Sequence, residues 1–431
     1  MSRSLLPLIF MGCIFVAAFC GDAATESSLL SFHTPDDAFV PVEPPDWVFD
    51  NPAIAFCAPD KYGDAAAAGA GIVHGPGGSA YYPLRRDDPA AGLPEKEDDD
   101  VRAAVEKAHA LGMRFVGGVP PFAPVDLVKL HPDWMSHPED NTDIEAKAAL
   151  DLTQSENLGL RMLCLIASPW RDYYVDCLAE LMETYRLDGL SFDGNYMHAI
   201  CHCAYCEEAY KRDTGNDIPK TADLNDMAYR VYMVWAGDRL ETWYRHLHEA
   251  LRAANPEAAL YSWTVNAGRF GHFLTSPRAM SRRMNLLYDA PMQEWWLDES
   301  NQGATVIPAF GAAYARAVAG GRVGVCEPYM MSRGNPYGID SFPVNEALAR
   351  AALAVTNGAF CAYSFGWPGH QDTALRVLET MHALKPWLTR TEPVPYAALL
   401  FGEDSRQFYG LTDIWRSEER RVGKECRSRW S

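Results

Sequence analysis

Short apolar runs recur along this sequence, each followed by a polar or aromatic loop and then by a stretch of helical periodicity, and eight such alternations can be counted. Strands are expected near 70–74, 114–118, 161–166, 190–193, 259–263, 285–290, 322–326 and 359–365. Helical periodicity fills 98–111, 125–130, 171–185, 228–254, 276–284, 305–319, 344–356 and 373–388, with stop signals at Leu111-Gly112 and Asn255-Pro256. Eight alternations without a glycine-rich phosphate turn predict an α/β fold of the parallel (β/α)8 TIM-barrel type rather than an open dinucleotide-binding sheet. The barrel is expected over 65–392, after an N-terminal extension at 25–64, with an insertion following the second strand at 130–158, a segment rich in His, Pro, Asp and Asn.

Both ends of the chain read differently from this repeat. Residues 1–24 have the form of a secretory signal peptide: Arg3, an apolar run from Leu5 to Phe19, and small residues at Gly21 and Ala23. The run is shorter than the roughly 18 residues a spanning helix needs, so a secreted or periplasmic protein is expected, with lipoprotein anchoring at Cys13 or Cys20 as the alternative. From Arg416 onward, RSEERRVGKECRSRWS loses all hydrophobic periodicity and resembles a translated sequencing adapter, as in a metagenomic fragment. Residues 393–415 contain YAALLFGEDSRQFYG, a fresh strand-like run that is expected to open a further, truncated domain.

Charge narrows the partners. The formal net charge is −19, and the 416–431 tail holds six basic and three acidic residues, leaving −22 on the rest. Phosphate backbones and anionic headgroups would be repelled, so nucleic acid is excluded as a natural partner.

In a barrel, chemistry belongs to the C-terminal ends of the strands. The residues expected there are His74, Trp170, Asn195, Tyr196, Trp263, Trp295, Trp296, Tyr329 and Trp367, a rim of flat rings and polar groups suited to the apolar faces and hydroxyls of sugars. Any one tryptophan is explained by core packing, but rings at successive strand ends are not, because inward barrel layers favour branched aliphatics. Asp193, where the strand in DGLSFDG enters a turn, is a candidate nucleophile. Glycoside hydrolysis needs a second carboxyl to protonate the leaving oxygen. Glu294 in MQEWW is the leading candidate, Glu327 in GVCEPYM its competitor and Asp289 a third.

Eight cysteines lie outside the two terminal segments, and three of them form C-x-C-x-x-C at Cys201, Cys203 and Cys206. Cross-pairing within six residues is geometrically awkward, whereas three thiolates plus one further ligand can close round Zn2+. Cys164 is the expected fourth ligand, with His198 and His202 as alternatives. A closed four-thiolate site has no open position for water, so a structural Zn2+ pinning the loop after Asp193 is expected, with no organic cofactor.

HPDW at His131–Trp134, CLIASPWRDYY at Cys164–Tyr174, DGLSFDG at Asp188–Gly194 and CHCAYCEEAYKRDTG at Cys201–Gly215 together resemble the hypothetical glycosyl hydrolase family 6 group, TIM-barrel relatives of beta-galactosidases and alpha-L-fucosidases. The resemblance spans roughly 65–410 and implies a TIM barrel with glycosidase activity. Family 42 beta-galactosidases have a zinc site matched here by Cys164, Cys201, Cys203 and Cys206, and often continue into a flavodoxin-like trimerisation domain, which 393–415 resembles; a homotrimer is implied for the full-length protein. Their fourth-strand glutamate is replaced by Asp193, which is similar instead to the aspartate nucleophile of the alpha-fucosidases. The expectation is thus a secreted glycoside hydrolase of galactosidase- or fucosidase-like type acting on oligo- or polysaccharides. Its rivals are a non-catalytic carbohydrate-binding barrel and a zinc-dependent deacetylase.

Overall fold

A computed structural model describes residues 39–76, 99–119, 122–124, 130–134, 136, 160–162, 164–192, 200–221, 223, 225–263, 282–295, 306–328, 343–364, 371–392 and 394. The chain divides into Met1–Phe39 and Val40–Ser431, and every element below belongs to the second unit.

The strands are β1 (Ala53–Phe56), β2 (Ile72–Pro76), β3 (Arg114–Val119), β4 (Phe122–Pro124), β5 (Leu160–Met162), β6 (Gly189–Phe192), β7 (Ala259–Trp263), β8 (Ala290–Trp295), β9 (Gly324–Pro328) and β10 (Ala359–Ser364). The helices are α1 (Asp46–Phe49), α2 (Tyr62–Ala67), α3 (Asp99–Ala110), α4 (Trp170–Tyr185), α5 (Ala204–Thr214), α6 (Met227–Ala254), α7 (Arg282–Asn285), α8 (Val306–Val318), α9 (Val344–Thr356) and α10 (Gln371–Leu388). Eight strands close into one barrel in the order β1-β10-β9-β8-β7-β6-β3-β2, every pair parallel, while β4 and β5 form a separate antiparallel pair. The (β/α)8 barrel expected from the sequence is therefore present.

Its strands are not all the expected ones. The first is Ala53–Phe56, inside the stretch assigned to an N-terminal extension; four residues carry too little periodicity to stand out. The expected strand at 161–166 is absent from the barrel: 160–162 pairs with β4, and the chain then turns. Arg171 Nη1 donates to the carbonyls of Leu165 (2.6 Å) and Ile166 (2.5 Å), and Arg239 Nε donates to Ile166 at 2.8 Å. Guanidinium groups thus take the acceptors that a neighbouring strand would otherwise satisfy. The long connection consequently follows the third barrel strand, not the second. The sixth barrel strand begins at Ala290, because Arg282–Asn285 is helical and residues 286–288 turn back onto it through Leu286 N to Arg283 O and Leu287 N to Met284 O.

The register is staggered. Stepping from Ile54 to Ile72, through Val116 with Gly189 and Tyr261 with Ala290, and home by Cys326, Cys361 and Ala53, the pairing slips by eight residues per circuit, the shear of a TIM barrel. Layers across the axis therefore draw one residue from every second strand. Ile54, Val116, Tyr261 and Val325 make one such layer, and the next carries His74, Ser191, Met292 and Ala362. Ser191 is buried and donates to Met292 Sδ at 3.6 Å, across the intervening strand. Trp47 and Val48 of α1 join this core, and Trp47 Nε1 donates to the Glu257 carbonyl at 2.9 Å, so α1 plugs the base. On the outer face, α6 buries Tyr232, Trp235, Trp243, Tyr244 and Leu247 at helical spacing, and Phe192 meets Trp243 and Tyr174 edge-on.

Candidate functional site

The mouth of the barrel lies at the C-terminal ends of β8 and β9, where Glu294 and Glu327 are direct register partners. Glu294 has the strand parity of Ala290 and Met292, and Glu327 that of Val325, all three of them core residues. Two glutamate positions thus stand side by side on the inward parity of adjacent strands. Trp263 shares the parity of Tyr261 and pairs with Met292, whereas Trp295 has the opposite parity to Glu294. Asp193 directly follows Phe192, the last described residue of β6; it lies outside the described residues, as do Asn195, Tyr196, Trp296, Tyr329 and Trp367.

Three sequence candidates have other surroundings. Trp170 opens α4, is fully buried, and stacks on Tyr174 with ring centroids 4.6 Å apart, so core packing accounts for it rather than a ligand-facing rim. Asp289 precedes β8 at the base of the barrel, the end opposite Glu294. It is fully buried, accepting from Leu260 N–H at 2.6 Å and Arg252 Nη2 at 2.7 Å, with His248 Nε2 at 3.3 Å. Its oxygens are committed to holding strands together, which removes it as an acid candidate. His74 lies two residues before the end of β2, its ring 4.2 Å from that of Phe56. Burial lowers its pKa to about 4, against a smaller upward pull from its own backbone carbonyl, so the ring is neutral. A Cβ at Gly118 would come within 2.8 Å of His74 Cε1; the missing side chain there makes room for the imidazole.

Beside the mouth, Cys164, Cys201, Cys203 and Cys206 are all buried, with their sulfurs within 4.8 Å of one another. Each sulfur is fixed by its own backbone. Cys164 N donates to Trp134 O (2.8 Å), Cys201 N donates to the Tyr232 hydroxyl (2.8 Å), Cys203 precedes the first turn of α5 and Cys206 lies within it. Ser136 Oγ donates to Cys201 Sγ at 3.6 Å, and the helix N-terminus favours negative charge on the sulfurs near it. Hydrogen bonds from the other three thiols hold Cys164 well below the usual thiol range, while Cys201 and Cys206, facing that thiolate and buried, are pushed up. Cys164 and Cys206 sulfurs approach to 3.4 Å. Tetrahedral thiolates about 2.3 Å from a Zn2+ would be about 3.8 Å apart, so the spacing and the all-sulfur donor set fit a metal ion. His202 Nδ1 lies 3.4 Å from Glu207 Oε1, turned toward that carboxylate, and Cys164 completes the cluster in its place; His198 lies outside the described residues. None of the four is in a disulfide, nor is Cys177.

A brace that the sequence did not reveal supports this cluster. Asp213 at the end of α5 accepts from Trp235 Nε1 (2.9 Å) and Arg239 Nη1 (3.4 Å), and Arg239 in turn holds Ile166 O. The helix bearing Cys206 and the turn after Cys164 are thereby tied to α6. Its bonded partners are 22 to 73 residues apart, and nothing local marks them.

No family model matches the chain, and no curated protein matches it. Among solved structures it is similar in fold to the beta-galactosidase of the haloarchaeon Halorubrum lacusprofundi (TM-score 0.57, 13% identity, covering 79% of this chain and 59% of that one). It is likewise similar to the beta-galactosidase of Bacillus circulans sp. alkalophilus (0.56, 12%, 80% and 57%) and to Gan42B, a GH42 beta-galactosidase from G. stearothermophilus (0.55, 11%, 82% and 59%). The chain thus spans less than three-fifths of the length of these proteins. At such identities the likeness shows the fold alone, a closed parallel (β/α)8 barrel.

Proposed function

We propose that the protein is a glycoside hydrolase with Asp193 as nucleophile and Glu294 as acid/base, acting on galactosidase- or fucosidase-like oligosaccharide substrates. The observation that carries this reading is the stagger of the barrel. Two residues beyond the layer of His74, Ser191, Met292 and Ala362, the same four strands lead to positions 76, 193, 294 and 364. Asp193 and Glu294 each follow a member of that layer, Ser191 and Met292, by two residues in sequence, on strands separated by β7 alone. Two strand spacings are about 10 Å between backbones, a span over which two carboxyl side chains can reach the roughly 5–5.5 Å of a retaining pair. Glu327 sits three strands from β6 and one layer lower, a poorer match.

In this reading the Asp193 carboxylate attacks the anomeric carbon as Glu294 gives its proton to the departing glycosidic oxygen; Glu294 then deprotonates the water that releases the sugar from Asp193. The four cysteines would hold a structural Zn2+, whose charge neutralises the thiolates and fixes the chain that leaves β6. Four sulfurs leave no open coordination position for a metal-bound water, which disfavours a zinc-dependent deacetylase. We further propose secretion or a periplasmic location through residues 1–24, and trimerisation through sequence beyond 393, as expectations of the same reading.

A panel of aryl glycosides tests the activity: aglycone release by the intact chain, lost in Glu294→Gln, is the expected result. Tight sugar binding without any release would instead identify a carbohydrate-binding barrel.

A further inference from the structure

Next to the cysteine cluster, on the same C-terminal face, four residues form a surface that the proposed mechanism does not use. The imidazole of His131 lies flat on the indole of Trp134, with centroids 3.8 Å apart and planes at 8°. Trp134 is buried, so His131 is the outer layer of the stack. Tyr205 donates its hydroxyl to Asp133 Oδ2 at 2.5 Å. Asp133 is exposed, and among the described residues its second oxygen has no hydrogen-bond partner.

Stability does not require this arrangement. The two segments are already joined where Cys164 N meets Trp134 O, and again by the sulfur cluster itself. A polar contact between exposed groups adds little to folding. What the bond does is hold a phenol ring and a carboxylate in fixed relation to the flat His131 surface. Tyr205 lies between Cys203 and Cys206, so the residues that can hold a metal also hold the ring in place.

We infer that His131, Asp133 and Tyr205 form a docking platform for a sugar ring distant from the bond being cleaved. An aromatic face packs against the C–H face of a pyranose, and a carboxylate accepts from its hydroxyls. With a net charge of −19, the chain would repel uronic acids and sulfated sugars, so the ligand is a neutral oligosaccharide. The inference rests on the glycosidase reading for the position of the scissile bond, but not for binding itself. The substrates are then chains of several sugars rather than disaccharides, since a disaccharide filling the mouth has no ring left for the platform.

The test compares wild type, Tyr205→Ala, His131→Ala and Tyr205→Phe on neutral oligosaccharides of two to six units and on an aryl monoglycoside, with metal content measured for each variant. The two alanine variants should lower the ratio of kcat/KM for the longest chain to that for the aryl substrate by about 2- to 10-fold. Tyr205→Phe, which keeps the ring, should lower it less. Should Tyr205→Ala lose metal, His131→Ala carries the comparison. In parallel, saturation-transfer NMR with the same oligosaccharides reads binding without turnover. Weakened binding in the alanine variants of a protein that hydrolyses nothing would uphold the platform and remove the glycosidase reading. An unchanged ratio in an active enzyme, or no binding of any neutral oligosaccharide by wild type, would overturn the platform.

Discussion

The two ends of this barrel use carboxylates in opposite ways. At the base, Asp188 and Asp289 each stand just before a strand, and their surroundings are near copies. Asp188 accepts from Phe115 N–H (2.8 Å), Arg114 Nη1 (2.7 Å) and His109 Nε2 (2.8 Å); Asp289 accepts from Leu260 N–H and Arg252, with His248 at its side. In both, one acid joins the preceding barrel strand, an arginine and a histidine, and its acceptor capacity goes into the fold. At the mouth, register pairs positions 294 and 327 on adjacent strands, at the opposite end from these braces. The contrast shows that residue type alone does not say whether a barrel carboxylate is committed to the fold. Which end of the strand it occupies does.

Substitutions at the two ends should therefore separate activity from stability. Glu294→Gln is expected to lower kcat by about 100- to 10,000-fold with an unchanged thermal midpoint, whereas the same change at Glu327 should cost far less. Full activity in Glu294→Gln would transfer the acid role to Glu327. Asp289→Asn should do the reverse, destabilising by about 3 kcal/mol in denaturant titrations because Arg252 is left without its counter-charge, with kcat per folded molecule retained.

The metal cluster gives the next largest effect. Elemental analysis should find one metal ion per chain, absent in Cys206→Ser, and chelation should lower stability by about 3–4 kcal/mol for an ion present at a hundred to a thousand times its Kd. A metal-free protein that melts no earlier than the loaded one would remove the structural role. The smallest effects concern His74. Gly118→Ala pushes a methyl group against the imidazole and should cost about 1–3 kcal/mol. Because folding depresses the His74 pKa from 6.5 to about 4, the unfolded chain takes up a proton that the folded one refuses. Stability from this group is complete above about 6.5 and falls as the pH drops toward 4. His74→Gln should flatten that part of the pH–stability curve, and an unaltered slope would show that another group carries it.

The barrel was legible because alternation of strand and helix is a property of the whole chain and survives local errors. One of those errors is instructive. RMLCLI at 161–166 is longer than AIAF at 53–56 and has five apolar residues to its four, yet AIAF is the barrel strand, because Arg171 and the distant Arg239 take the carbonyls that the former would have offered to a sheet. The cysteine set was legible because metal-ligand spacing is local on the C-x-C-x-x-C side, with only Cys164 brought in by the fold. Trp170 was misplaced because a tryptophan at a strand end and one at a helix start look identical in sequence, and only packing against Tyr174 tells them apart. The paired positions of Glu294 and Glu327, and the commitment of Asp289 to the base, depend on register and could not be read from spacing.

The most direct test of the Asp193–Glu294 assignment is covalent trapping. A 2-deoxy-2-fluoro version of the best aryl glycoside, incubated with the protein and followed by peptide mass spectrometry, should leave one sugar attached to the peptide that contains Asp193. Attachment to Glu294 or Glu327, or steady turnover of the parent glycoside with no covalent sugar accumulating, would contradict it.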